Sequence, residues 1–417
     1  RSAEDLGENY TELEKLGVKF NLGDGYLNNL SGDMIFKTPG MRYDVPELLK
    51  AKENGSIVTS EMEVFFDLCP CKIIAVTGSD GKTTTSTIIS ELLKASGYNV
   101  HLGGNIGHPL LCETGEIGPG DIAVLELSSF QLHSMNCCPD VAVITNLSPN
   151  HLDKHKDFQD YMDAKLSIFE KQNADQRLVL NLDDRHSEYY ASHAKSSISY
   201  FTDMGEVENG ALCSDGGIYR VSGGQRRPVM KASEIKLPGE HNLLNYLAAF
   251  AAVEGLVNDE VCAQVAKSFA GVEHRLEHVR VLHGVTYIND SIGTSPTRTS
   301  AGLHALKTKP IVIAGGYDKH LSFDGLGDEL CLLAKRVFLT GATAEKIKKA
   351  ILSSKYYNDS ALQVEIIDDF KETVLAAAAA AREGDIVLLS PACAAFDRFK
   401  NFMERGKYFK EIVMELK

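Results

Sequence analysis

The stretch Lys72-Ile-Ile-Ala-Val-Thr-Gly-Ser-Asp-Gly-Lys-Thr-Thr84 runs from apolar, largely β-branched residues through two glycines into a helix that reads on from Lys82 to Ser96. A short apolar run that stops at glycine is the pattern of a buried strand feeding a turn. Glycines 78 and 81 let the backbone turn its N–H groups inward, and the positive end of the next helix completes an anion site. Lys82 adds a charge suited to β- and γ-phosphates, and Thr83 or Thr84 offers a hydroxyl to Mg²⁺. Gly78, Ser79, Asp80, Gly81, Lys82, Thr83 and Thr84 are therefore the expected contacts for ATP. The strict pattern for such loops has a glycine five residues before Gly81. Val76 stands there, so the reading rests on the strand–loop–helix context.

Short apolar strands alternate with amphipathic helices on both sides of this stretch, the signature of parallel α/β layers. Before it, strands are expected at Val18 to Phe20, Met34 to Phe36 and Ser56 to Thr59, with a helix at Glu61 to Asp67. After it come strands at Asn99 to Leu102, Asp121 to Leu127, Val141 to Asn146 and Arg177 to Asn181. Residues 196–229 differ: Asp215-Gly-Gly217 and Ser222-Gly-Gly224 predict antiparallel hairpins. Helices follow at Asn242 to Glu254 and Asp259 to Ala270. The last block has strands at Val285 to Asn289, Pro310 to Ala314, Arg336 to Leu339, Gln363 to Ile367 and Asp385 to Leu389, each followed by a helix. The expected division is three α/β domains, 1–70, 71–271 and 272–417. The central one combines a parallel sheet with a small antiparallel sheet.

With 417 residues, 44% of them hydrophobic, the chain has ample material for several cores. Its formal charge of −14 argues against non-specific binding of nucleic acid or anionic membranes. No apolar stretch approaches the ~20 residues that span a bilayer, and Arg1-Ser-Ala-Glu-Asp-Leu is no signal peptide. Of nine cysteines, Cys69 and Cys71, and Cys137 and Cys138, are close pairs, and neither has a second pair at zinc-finger spacing. Reduced thiols of a cytoplasmic protein are the first reading and a structural zinc the second.

Acids at strand ends are the next candidates, because ligands of open α/β sheets bind beyond the carboxyl ends of strands. Glu126 closes Ile122-Ala-Val-Leu-Glu-Leu127 and can hold Mg²⁺ with phosphate and water. His151 and Asp153 follow the strand Val141 to Asn146. Histidine suits Mn²⁺ better than Mg²⁺, and a solvated loop is an equal reading for His151; it is the stronger one for His155. Lys165, in a helix beside Tyr161, Ala164 and Ile168, reads by itself as a surface lysine.

The phosphate loop, Gly103-Gly-Asn-Ile-Gly107, Leu125-Glu-Leu-Ser-Ser-Phe-Gln131, Asn146-Leu-Ser-Pro-Asn-His-Leu-Asp153, Gly239-Glu-His-Asn-Leu-Leu-Asn245, His274-Arg275, Asn289-Asp-Ser291 and Leu389-Ser-Pro-Ala-Cys-Ala394 occur in an order that resembles the Mur ligases over nearly the whole chain. The runs from Leu125 and Ser390 resemble the D-glutamate-adding branch. The resemblance implies a UDP-binding Rossmann-like domain, an ATPase domain and a C-terminal Rossmann-like domain. It implies ATP-dependent joining of D-glutamate to UDP-N-acetylmuramoyl-L-alanine through an acyl phosphate, in peptidoglycan precursor synthesis. The family opens with a strand, a Gly-rich turn and a helix that are not seen here, so N-terminal truncation is expected.

Residue roles carried over by the resemblance are these. Lys82 and Thr83 hold phosphate and Mg²⁺; Glu126 and His151 bind two divalent ions; Lys165 is carbamylated and ligates the second. Asn242, Asn245, Arg275 and Asp290 belong to the ATP site. Arg1, Thr38, Pro39, Gly40, Asn105, Ser128 and Gln131 contact the UDP-linked substrate, and Thr294, Lys319 and Phe402 contact D-glutamate. The partners are small molecules and the protein is expected as a monomer. Two departures touch the amino-acid site: Ile292 stands where the family often has lysine, and Ala395 where it has serine. Arg298 is the cation nearest in sequence to replace that lysine. Helix capping alone is an alternative for Asn242 or Asn245, and surface exposure for Arg275 and Lys319. Another amino-acid ligase of this family, a folylpolyglutamate synthetase and a catalytically silent nucleotide-binding regulator are the alternatives for the whole chain.

Overall fold

The computed structural model describes residues 8–38, 40–42, 44–106, 109–135, 137–148, 155–237, 239–306, 308–319 and 321–417. The chain divides into two compact units, Arg1–Phe269 and Ala270–Lys417. Among the described residues no helix is long and apolar enough to cross a membrane.

In the first unit, β1 (Met34–Phe36) and β2 (Ile57–Thr59) pair in parallel as a sheet of their own. The strand expected at Val18 to Phe20 is absent. Those residues are irregular, Val18 is exposed, and no described strand pairs with them; an extended segment without a pairing neighbour has no ladder to hold it.

The main sheet is built from β3 (Lys72–Thr77), β4 (Val100–Gly104), β5 (Ile122–Glu126), β6 (Val141–Ile144), β7 (Arg177–Asn181), β8 (Ser197–Thr202), β9 (Gly210–Ser214), β10 (Gly217–Ser222) and β11 (Gln225–Lys231). Their spatial order is β11-β10-β9-β8-β7-β6-β3-β5-β4. The antiparallel hairpins turn at Asp215-Gly216 and Gly223-Gly224, within the expected runs. They do not form a separate small sheet: β8 pairs in parallel with both β7 and β9, so the hairpins extend one mixed sheet.

The pleat sends neighbouring residues of β3 to opposite faces. Ile74 and Val76 join a core with Ile88, Leu92 and Phe250, beneath the helices Lys82–Ala95 and Glu240–Ala252. Ile73 and Ala75 join the other core, with Leu125, Phe169 and Tyr190. A strand buried on both faces reads as a continuous apolar run. Its carboxyl end lies between those of β5 and β6, where the connections from β3 and β5 leave in opposite directions across the sheet. That is the switch point at which such sheets open a crevice.

The second unit has β12 (Glu277–Leu282), β13 (Val285–Asn289), β14 (Ile311–Ala314), β15 (Arg336–Leu339), β16 (Gln363–Ile366) and β17 (Ile386–Leu389), in the order β12-β13-β17-β14-β15-β16. The five expected strands are present and parallel. β12 was not anticipated; it pairs antiparallel with β13, and its charged, half-exposed sequence Glu-His-Val-Arg-Val-Leu lacks the apolar run of its neighbours.

Candidate active site

The loop after Thr77 is held from several sides. The Ser79 amide donates to the Asn146 carbonyl at 2.9 Å, and the Asp80 amide to Asn146 Oδ1 at 2.9 Å. Thr145 Oγ1 donates to the Asp80 carbonyl at 2.6 Å. Ser79 Oγ accepts from the Ser148 amide at 2.9 Å and lies 2.9 Å from the Tyr161 hydroxyl. Gly78 has φ +144°, and a Cβ there would lie 1.9 Å from Thr145 Oγ1. Gly81, at the start of the helix Lys82–Ala95, has φ +78°, and its Cβ would lie 2.3 Å from Asn245 Oδ1. Both positions exclude a side chain, which is why the loop comes so close to its neighbours. Lys82 Nζ donates to the carbonyls of Gly78 at 2.9 Å and Ser79 at 2.8 Å.

β5 delivers Glu126 beside this loop because Val76 and Glu126 are partners in register. Its side chain is 2% exposed. Thr83 Oγ1 donates to Oε2 at 2.7 Å and Asn105 Nδ2 to Oε1 at 2.8 Å. A carboxylate and a threonine hydroxyl in bonding contact form an all-oxygen donor set, the chemistry a hard divalent cation takes. Thr85 Oγ1 donates to Asn245 Oδ1 at 3.2 Å, and Asn245 Nδ2 to Asn242 Oδ1 at 3.2 Å. Both asparagines are buried, so the first turns of two helices meet through them. Ser128 and Gln131 form a capping box on the short helix Ser129–Leu132.

Lys165 overturns the surface reading. It is 1% exposed, its ammonium reaches Gly78 O at 3.3 Å and Thr77 Oγ1 at 3.4 Å, and it lies 4.4 Å from the Tyr161 ring centroid. Among the described residues no carboxylate lies within ion-pair distance of it. Burial, and then the nearby Lys82 charge, push its pKa well below that of an ordinary lysine. Its spacing from Tyr161 carried no mark of this, because helix faces are buried or exposed by what packs on them.

His151, Asp153, Arg1 and Pro39 lie outside the described residues. Thr38 and Gly40 are exposed just after β1. Thr84 is half-buried on the first turn of its helix.

The remaining candidates belong to the second unit. Asp290 follows β13 and is 5% exposed; it accepts from Ser390 Oγ at 2.7 Å and from the Leu276 amide at 3.2 Å. Burial raises its carboxyl to about 6 against the pull of these hydrogen bonds and of the Arg275 and Arg298 charges. Arg275, Arg298 and Lys319 are exposed, and Thr294 is half-buried. Arg298 donates weakly to the Ile292 carbonyl, at 3.4 Å. Phe402 packs edge-on against His274 at 6.0 Å, and its carbonyl accepts from Ser291 Oγ at 2.8 Å. Arg405, not anticipated, is 2% exposed and donates to Ser291 Oγ and to the carbonyls of Ser291, Cys393 and Ala394. It ties together the ends of β13 and β17, where Thr294 and Ala395 lie.

Residues 76–253 match the family profile described as the Mur ligase middle domain, and residues 274–393 the one described as the Mur ligase, glutamate ligase domain. A relative from Acetivibrio thermocellus, named UDP-N-acetylmuramoylalanine–D-glutamate ligase, is 51% identical over 96% of this chain and 87% of its own length. One of the same name from Ruminiclostridium cellulolyticum is 46% identical over 99% of this chain and 90% of its own. Among solved structures, UDP-N-acetylmuramate-alanine ligase from Thermotoga maritima superposes with a TM-score of 0.56, 19% identity, and coverage of 98% of this chain and 92% of that one.

Proposed function

The chain belongs to the Mur ligase family, and we propose that it joins D-glutamate to UDP-N-acetylmuramoyl-L-alanine at the expense of ATP. The observation that carries this reading is the contact of Thr83 with Glu126 beside the glycine-bounded loop 77–84; the amino acid is taken from the names of relatives about half identical over nearly the whole chain.

The chemistry follows from the bond to be made. An amine cannot displace hydroxide from a carboxylate, so a carboxylate oxygen first attacks the γ-phosphorus and ADP departs. The acyl phosphate carbon then takes the amine's electron pair, phosphate leaves with the C–O pair, and the amine gives up a proton. The loop 77–84 and Lys82 hold the triphosphate in line. Thr83 and Glu126, with His151 by family resemblance, are the residues that would hold divalent cations; Mg²⁺ bound there supplies charge neutralisation for phosphoryl transfer. Asn242 and Asn245 brace the loop through Thr85. Asn105, just after β4, and Ser128 and Gln131, just after β5, are assigned to the UDP-linked acceptor. Arg275 and Asp290 for ATP, and Thr294, Lys319 and Phe402 for D-glutamate, complete the assignment.

Lys165 fits the role of a carbamate. Only the neutral amine attacks CO₂, and burial favours the neutral amine. The product carries negative charge beside Lys82 and the loop, where a protonated lysine would add an unfavourable positive one. A cytoplasmic monomer with ATP, UDP-N-acetylmuramoyl-L-alanine and D-glutamate as its partners is the accompanying reading; nine free cysteines agree with a reducing compartment.

The test is ADP release with the UDP-linked acceptor across a panel of amino acids. D-glutamate is expected to support turnover. Release that depends on a different amino acid overturns the assignment, and release that needs no acceptor overturns the ligase reading.

A further inference from the structure

Beside the phosphate loop, one ring further out, two histidines converge on one carboxylate. His155 Nδ1 lies 3.0 Å from Asp160 Oδ2, and His133 Nε2 lies 3.1 Å from Asp160 Oδ1. One ligand atom from each residue falls within 4.8 Å of the others. His155 packs edge-on against Tyr161, whose hydroxyl meets Ser79 of the loop, and stacks on Phe130. We propose that His133, His155 and Asp160 form a binding site for a late first-row divalent metal, of which zinc is the representative, separate from the oxygen-donor pair of Thr83 and Glu126.

Three features support it. First, the spacing is nearly that of a metal site: bonds of about 2.0–2.1 Å in a tetrahedron put ligand atoms roughly 3.3 Å apart, so binding asks mainly that the two rings draw together. Second, the donors are two imidazoles and one carboxylate, a set that suits zinc and its neighbours, whereas Mg²⁺ prefers oxygen alone. Third, the far nitrogen of His155, Nε2, lies 3.0 Å from the buried Ser129 Oγ. A metal-bound histidine gives its other N–H to such an acceptor, which fixes the ring and its tautomer. The side chain of His155 is 2% exposed, while those of His133 and Asp160 are 15% and 17% exposed, so the cluster opens on one side and leaves a coordination position for water.

The other such cluster, Glu273, His274 and Glu277, makes a useful contrast. There the Lys410 ammonium already bridges the two carboxylates, at 2.6 Å and 2.9 Å, and takes the place of a cation.

The site ties the segment Ser129–Leu132 to the helix Phe158–Asp163 that leads to Lys165. The experiment is zinc titration of the whole protein against a chromogenic chelator, with Mg²⁺ in excess to fill oxygen-rich sites. The wild type and a C69S/C71S control are expected to take one equivalent that H133N and H155N do not. S129A is expected to bind it roughly 10–100-fold more weakly. Co²⁺ in the wild type should give the intense visible bands of a four-coordinate nitrogen and oxygen site, a readout that needs no variant to fold. Unchanged zinc binding in H133N, loss of the equivalent in C69S/C71S, or only weak octahedral Co²⁺ bands overturns the proposal. None of these readouts depends on ligase turnover.

Discussion

Lys165 and Asp290 are ionisable groups held where charge is costly, and each gives a sharp expectation. Lys165→Ala should lower kcat by roughly 10²–10³-fold, the scale for removing one preorganised electrostatic group, and a small added carboxylate should restore part of it. Steady-state ADP release measures both; wild-type turnover in the variant rules out the carbamate role. For Asp290 the sign follows from linkage. Its folded pKa, about 6, stands above the ordinary aspartate value of about 3.9. The folded state therefore binds more protons between those values, and its stability falls as pH rises through that window. The full difference is about 3 kcal/mol. Asp290→Asn should flatten this dependence in chemical denaturation followed from pH 4 to 7. Legibility in the sequence divided along the same line. Lys82, Thr83 and Glu126 could be read because a strand end and a glycine turn define their setting locally. The burial of Lys165, Asp290, Arg405 and His155 could not, since it depends on elements far away in the chain.

At the scale of elements, the loop 77–84 carries the most exacting geometry. Gly81→Ala puts a Cβ at φ +78° and against Asn245, so it should weaken nucleotide binding tenfold or more, at about 1–2 kcal/mol for the left-handed backbone alone. Equilibrium binding of a fluorescent ATP analogue checks it, and affinity equal to wild type would contradict the close packing. The same scale explains which elements could be foreseen. β3, β6 and β17 are buried on both faces and stand out as apolar runs. The hairpin turns were marked by their glycines. β12 was hidden because it has no apolar run: half-buried Glu277 and Arg280 interrupt it and look like loop. That the hairpins lengthen the main sheet is decided by the parallel pairing of β8 with β9, which no local pattern records.

For the whole molecule, two compact units with separate apolar cores predict two calorimetric unfolding transitions. MgATP at a hundred times its dissociation constant should stabilise the nucleotide-bearing unit by about 2.7 kcal/mol; a single transition, unmoved by nucleotide, would contradict the division. The order of strands, loops and helices along the chain made the α/β layers readable, while the strand order within each sheet, with β3 beside β5 and β13 beside β17, rests on pairings between residues far apart in the chain. A final consequence follows from the place of β3. Its side chains feed the cores on both faces of the sheet, and its end runs straight into the loop that the backbone of Asn146 and the side chain of Thr145 hold. Substitutions that reshape this loop would loosen the interior of the entire unit. An inhibitor that recognises the main chain of residues 78–81 would thus meet a target with few viable escape mutations, because resistance and misfolding would arise from the same changes.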